Sequence, residues 1–284
     1  MVPQECEAMI IDPHVHVWKI DPKYPWAKET AKPPEEDALP ETLLRLMAAN
    51  GVDKTVLVQV IHYRWDNRYT RDVMRQYPDK FMGVCRVNPE SPQAPDDLSR
   101  LVPEDGFHGV RLSPVAGPEG DWIRGDLMHP LWRRTGELRV PILILAPVTR
   151  MPDIARLCER HPNVDVCIDH MADCPADRPD LLPMLLDLAR FPRVYVKISH
   201  TWNVSKQDYP YPDTHDQVKH LYDSFGPRRL MWGTDWPLVE KKCGYAKALA
   251  VVRDELKFLN REDKEWILGK TVLKLWPFAT VVRP

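Results

Sequence analysis

The sequence predicts a (β/α)₈ barrel, and three observations carry that expectation. Eight short β-branched runs recur along 284 residues. Apolar stripes of helical spacing lie between most of them. Several of the runs, such as TVLVQV, PILILA and VDVCI, are continuously apolar, as parallel strands covered on both faces should be. Eight such units in a chain of this length match the size of a (β/α)₈ barrel. A doubly wound open sheet fits less well, because no glycine-rich phosphate turn follows any run and the chain holds only 12 glycines.

Each element follows from its own pattern. Strands are expected over Met9–Val17, Lys54–Val60, Phe81–Val87, Gly106–Leu112, Val140–Leu145, Val164–Asp169, Val194–Ile198 and Leu230–Gly233. Met151–His161 places Ile154, Leu157 and Cys158 on one helical face, with Asp153 near the positive end of the helix dipole. Thr214–Phe225 repeats the stripe with Val218, Leu221, Tyr222 and Phe225, and Thr214 or Asp213 can cap it. Helices also fit Glu41–Asn50, Thr70–Tyr77, Leu127–Leu138, Asp180–Arg190 and Ala246–Phe258. Asp21–Leu39 reads as a long loop after the first strand, placed to wall or cover the catalytic end. Ser91–Asp97 and Ser199–Asp213 read as the other long connections. The 29 prolines fall singly between the apolar runs, as rigid connections do. A single domain over residues 1–284 accommodates all of these elements.

Composition removes several function classes. Lys plus Arg is 39 and Asp plus Glu is 41, so the net charge is -2. Such a balance gives no electrostatic pull towards nucleic acid or an anionic membrane. No apolar run approaches the roughly 18 residues of a membrane span. The opening MVPQECEAMI lacks the basic and then apolar pattern of a signal peptide. The 6 cysteines form no CxxC pair, and Cys85, Cys158 and Cys167 sit in apolar periodic segments. Reduced core thiols and a cytoplasmic setting are therefore expected.

In a barrel, side chains at the C-terminal strand ends converge on one pocket. His14 and His16 are two apart on an extended segment, so they share a face and can reach one ion. Neutral imidazoles with a carboxylate suit zinc with an open position, and His170 and Asp235 are the further ligands expected. Manganese accepts the same donors. Arg111 can clamp a substrate carboxylate bidentately, or serve an internal ion pair. Gln59, His62, Tyr63, Lys197 and Trp236 are further substrate-binding candidates, with internal bonding the competing use of Gln59 and Lys197. Trp18, Trp26, Trp65 and Trp202 follow strand ends or lie in the first long loop, so a flat or apolar-faced substrate would suit them. Trp122, Trp132, Trp266 and Trp276 read as core.

The motifs IDPHVHVW, VQVIHYRWDNRY, YPDKFMGVCRVNP, GVRL, HPLWRRTGEL, IDHMAD, VYVKIS, MWGTDWP and ILGKTVLKLW stand in the order of the amidohydrolase superfamily. Residues 9 to 277 resemble its lactonase-like branch, which includes sugar lactonases and 2-pyrone-4,6-dicarboxylate lactonase. The resemblance implies a distorted barrel with a hydrolytic site at the strand ends. It implies His14 and His16 as a metal-binding or substrate-polarising pair, His170 beside them, Asp235 as acid/base and Arg111 on a substrate carboxylate. PILILAP holds no lysine, so a carbamylated lysine bridging two metals is unsupported and one divalent ion per chain is expected. Some lactonases of the branch work without a tightly held metal, which leaves metal-free catalysis open. His200 is expected to alternate away from the pocket if its strand continues.

The expected reaction is the opening of a small carboxylated lactone. Water attacks a carbonyl polarised by a metal or by histidine N–H groups, and Asp235, at an ordinary carboxyl value of about 4, takes the proton. A decarboxylase of an aromatic or unsaturated acid, a cyclic-amide hydrolase and a non-catalytic small-ligand binder are the alternatives on one scaffold. The exposed loops are compatible with a homodimer.

Overall fold

The computed structural model describes residues 8–113 and 121–278. Cys6 and most of the N-terminal stretch lie outside the described residues. Eight parallel strands appear where the apolar runs place them: β1 (Ile11–Val15), β2 (Lys54–Val58), β3 (Phe81–Val84), β4 (Val110–Leu112), β5 (Ile142–Ile144), β6 (Val166–Ile168), β7 (Val194–Ile198) and β8 (Leu230–Trp232). Their ladders form two sheets, β1-β2-β3 and β4-β5-β6-β7-β8. Single parallel bridges join the sheets into a ring, Cys85 to Val110 at one seam and Val15 to Trp236 at the other. At the second seam Asp235 N donates to His14 O (2.9 Å) and His16 N to Trp236 O (2.7 Å).

The strands are shorter than their apolar runs. Gly106 has φ +79, a conformation that favours glycine, so the strand cannot reach back to it, and β4 starts at Val110. Buried apolar residues fill two layers. Inside the ring Ile11, Val56, Val58, Val84, Leu143, Cys167, Tyr195 and Met231 meet one another, and Val272 and Trp276 join this cluster. A larger cluster lies between the strands and their helices. Cys85, Cys158, Cys167, Cys174 and Cys243 are free thiols.

Helices α1 (Pro40–Asn50), α2 (Arg68–Gln76), α3 (Ala94–Leu101), α4 (Met128–Leu138) and α5 (Met151–Arg160) follow β1 to β5. The helix α3 occupies much of what the sequence reads as a connection at Ser91–Asp97. Its short apolar face, Ala94, Leu98 and Leu101, is buried against the core, and packing outweighs its weak local signal. The segment 180–190 is not one helix but α6 (Leu182–Leu186) between two 3₁₀ turns. The Ser199–Asp213 connection contains α7 (Thr201–Val204), and α8 (His215–Phe225) begins after it. Neither expected cap forms there: the Thr214 hydroxyl donates to Tyr211 O instead. The expected helix 246–258 is α9 (Tyr245–Ala250) continued by a π turn, Val251–Glu255. The helices α10 (Arg261–Glu265) and α11 (Thr271–Leu275) close the chain around a second π turn. Trp266 is half-buried, with the Arg228 guanidinium 4.6 Å from its ring, and is not the core residue the sequence suggests.

Candidate active site

Inward-facing residues alternate along a strand, so two steps beyond the apolar interior layer come the polar ones. Cys167 gives way to Asp169 and Tyr195 to Lys197. Together with Arg111 of β4 and His14 of β1 they make a polar floor with almost no solvent exposure. Asp169 Oδ1 lies 3.1 Å from Lys197 Nζ and 3.2 Å from His14 Nδ1, and Oδ2 accepts from Arg111 Nε at 3.1 Å. Burial alone would raise the Asp169 carboxyl, but Lys197, His14 and Arg111 hold it well below the ordinary carboxylate value. Burial and the Lys197 charge push His14 down to about 3, so its ring is neutral.

Asp12 ties β1 to β8. Its Oδ1 accepts from His14 N (3.1 Å) and Thr234 N (3.2 Å), and its Oδ2 from the Thr234 hydroxyl (2.6 Å). This clasp sits where the β1–β2 register shifts, between Asp12 and Val15, and fixes His14 against the end of β8.

Above the floor, His170, Asp235 and His14 meet. One ligand atom from each lies within 4.8 Å of the others. Burial, then the neighbouring His200 and His14, drive His170 well below its ordinary value, so it too is neutral. His16 Nδ1 donates to Val58 O (2.7 Å), which turns Nε2 towards Asp235 Oδ1, 3.1 Å away. Anchoring a ring through one nitrogen so that the other faces the site is the arrangement of metal-binding histidines. His170 Nδ1 lies 2.8 Å from Ser199 Oγ. The donor set thus fits one divalent ion of the nitrogen- and oxygen-loving kind.

The structure brings in one group that the strand alternation does not. His200 turns inward because β7 ends at Ile198 and His200 itself has φ 59, which breaks the alternation. Its Nε2 donates to Asp235 Oδ2 at 2.5 Å, its Nδ1 lies 3.4 Å from Asp173 Oδ1, and its ring stacks on His170 at 3.6 Å. Burial would lower His200, but the bonds to Asp173 and Asp235 raise it to about 9. Asp235, which burial would raise, is held well below its ordinary value by the bonds from His16 and His200. It is therefore a weaker base than a free carboxylate, not one at the ordinary value. Asp169, which the alternation does turn inward, is a further site residue beyond the sequence candidates; the Asp-His pair after β6 carries the signal for it.

Four consecutive non-glycine residues, His170 to Asp173, have positive φ, and this left-handed turn aims both His170 and Asp173 at His200. Runs of this kind are costly for side-chain-bearing residues and concentrate at functional sites.

The remaining sequence candidates are placed as follows. Gln59 is fully buried, with Nε2 donating to Asp66 O and Oε1 accepting from the Thr70 hydroxyl, so its amide is engaged internally. Lys197 and Arg111 both pair with Asp169 inside the floor. Tyr63 is buried, its hydroxyl donating to Lys19 O, and Trp26 stacks on its ring at 4.6 Å. His62 stands between Trp18 and Trp26, 6.1 Å from each ring. Trp236 is buried, its backbone N donating to the Thr234 hydroxyl. Trp65 lies under the Arg86 guanidinium, and Trp202 packs at 4.4 Å on His200.

Comparison with known proteins agrees with this geometry. A family model described as Amidohydrolase matches residues 11–278. The chain is similar to an L-fucono-1,5-lactonase of Burkholderia ambifaria, 29% identical over 80% of each chain. It is also similar to a 4-sulfomuconolactone hydrolase of Hydrogenophaga intermedia, 28% identical over 80% of this chain and 74% of the other. Among solved structures it is similar to a candidate 2-pyrone-4,6-dicarboxylic acid hydrolase from Pseudomonas putida, with TM-score 0.81, 24% identity and coverage of 97% and 100%. An amidohydrolase from Burkholderia multivorans with zinc bound gives TM-score 0.75, 21% identity and coverage of 95% and 99%. These last two likenesses establish the barrel. Among the described residues no helix is long and apolar enough to cross a membrane.

Proposed function

We propose, from the premise that the chain belongs to the amidohydrolase family, that it is a lactone hydrolase acting on a small, carboxylated ring. We take residues 1–284 as one catalytic domain. The observation that carries the reading is the convergence of His14, His16, His170 and His200 on one buried carboxylate, Asp235. Relatives named as lactonases support the substrate class.

The chemistry divides among these groups. A divalent ion held by His14, His170 and Asp235, zinc being the first candidate, would supply Lewis-acid polarisation of the lactone carbonyl. Asp235 orients the attacking water and takes its proton. The depressed basicity of Asp235 keeps it ionised throughout the neutral range, at some cost in driving force. His200, protonated and bonded to Oδ2, holds a proton beside the leaving alkoxide as the ring C–O bond breaks. Lys197 and Arg111, together two positive charges against Asp169, leave the floor net positive, which favours the developing oxyanion and an anionic substrate. His62, Trp18 and Trp26 offer an aromatic wall for the ring.

A pH-indicator screen of the purified protein against small lactones, with Asp235→Asn as the blank, tests this. Acid release from a carboxylated lactone, reduced at least about a hundredfold in the variant, is the expected result. Near-normal turnover in Asp235→Asn would remove Asp235 from the mechanism. Carbon dioxide evolution from aromatic acids, with no lactone opened, would replace the reading by a decarboxylase.

A further inference from the structure

Lys197 is wholly buried beneath His14; its Nζ is hydrogen-bonded to Pro13 O at 3.0 Å and His14 Nδ1 at 3.1 Å, with Asp169 Oδ1 at ion-pair distance, 3.1 Å. The Trp276 ring lies 5.8 Å from the same nitrogen. An ammonium has three donors and no acceptor, so it bonds to a ring nitrogen only through that nitrogen's lone pair. A neutral imidazole carries one proton. If Nδ1 presents its lone pair to Lys197, the proton sits on Nε2, the nitrogen 3.5 Å from Asp235 Oδ1.

Two contacts pull the other way. Asp169 Oδ1 is 3.2 Å from His14 Nδ1 and would accept a proton there, and Arg111 Nη2 is 3.5 Å from Nε2 and would donate to a lone pair there. Neither outweighs Lys197. Asp169 Oδ1, though at ion-pair distance from both Lys197 Nζ and His14 Nδ1, is hydrogen-bonded to neither, and Oδ2 accepts from Arg111. The Arg111–His14 distance is at the outer limit of a hydrogen bond. With the proton on Nε2, Lys197 Nζ makes both of its hydrogen bonds, to Pro13 O and to His14 Nδ1. With it on Nδ1, a Lys197 N–H faces a ring N–H at 3.1 Å inside a buried site, where an unmade bond is costly.

We propose that Lys197 is a positioning residue that holds His14 in the Nε2–H tautomer, and so sets His14 as a hydrogen-bond donor to the substrate carbonyl and weakens it as a metal ligand. The proposal builds on the assignment of this cluster as the carbonyl-polarising site. A divalent ion needs the Nε2 lone pair of His14, which requires the proton to move to Nδ1 and takes an acceptor from Lys197. The affinity of the site for an ion is therefore governed from beneath, by a residue that would not be its ligand.

The test reads His14 and zinc directly. In chelator-dialysed, ¹⁵N-histidine-labelled wild-type protein, long-range ¹H–¹⁵N correlation, with His14 assigned by the peak lost in His14→Gln, should show the Nε2–H pattern. An Nδ1–H pattern would overturn the proposal without recourse to any Lys197 variant. Zinc titration against a chromophoric chelator should then give at least about tenfold tighter binding in Lys197→Met than in wild type, the scale on which groups behind a ligand act. Lys197→Arg, which also only donates, should bind zinc as weakly as wild type. Equal zinc affinity in wild type and a folded Lys197→Met would also overturn it. Neither readout involves a substrate, so failure of the lactonase assignment leaves both interpretable.

Discussion

Asp12 offers a prediction whose size follows from the structure. Its carboxyl is fully buried in the clasp between β1 and β8, and burial raises it from 3.8 to about 6 despite the bonds from Thr234 and His14. A shift of about two units corresponds to about 3 kcal/mol. Because the folded value is raised, the stabilisation that Asp12 brings is complete below the unfolded value of 3.8 and is lost as pH rises through about 6. At pH 8 the charged group costs the fold about 3 kcal/mol relative to a neutral analogue. Asp12→Asn removes the titration while keeping the shape. Its amide oxygen can still accept from His14 N and Thr234 N, but the amide nitrogen must donate to Thr234 Oγ, which strands the hydroxyl proton at a cost of about 1 kcal/mol. The variant should therefore be about 2 kcal/mol more stable than wild type at pH 8. The difference between the two proteins should move by about 2.5 kcal/mol between pH 8 and pH 4, a little over half of it by pH 5. Urea unfolding of both proteins across that range measures it by linear extrapolation. A constant difference across the range, or a wild type more stable than the variant at pH 8, would show that the clasp bonds outweigh burial.

Other outcomes follow from the same contacts. His200→Gln should lower kcat by about a hundredfold, within the usual range for a positioned acid. Wild-type activity should hold below about pH 9, where His200 is protonated, and fall above it. An unchanged basic limb in the variant would assign that limb to another group. Gly269→Ala should destabilise by about 3 kcal/mol in urea, because a Cβ there would overlap the Met9 carbonyl oxygen, a backbone atom that cannot swing aside.

The eight strands and most helices were legible because burial on both faces, or on one, leaves a period in the residues. The helix α3 was not, since its apolar face is only three residues long and two prolines and two acids surround it. His14, His16, His170 and Asp235 were legible as polar residues at strand ends, and the structure draws them together. His200 was hidden because inferring its direction requires knowing that β7 stops at Ile198 and that the next turn is left-handed. For Gln59 the sequence left substrate binding and internal bonding both open, and its partners Asp66 and Thr70, on the loop and helix that follow β2, decide for the internal use.

The two seams of the ring have a mechanical consequence. His14 and His16 ride on the three-stranded sheet, and His170, His200 and Asp235 follow strands of the five-stranded one. The reacting groups straddle a joint whose strand pairing is a single bridge between Val15 and Trp236. Anything that grips both sides, substrate or ion, acts as a rivet between two half-shells. The Asp12–Thr234 bonds already tie the half-shells across that line, and a ligand on the histidines and Asp235 would add a second tie above them.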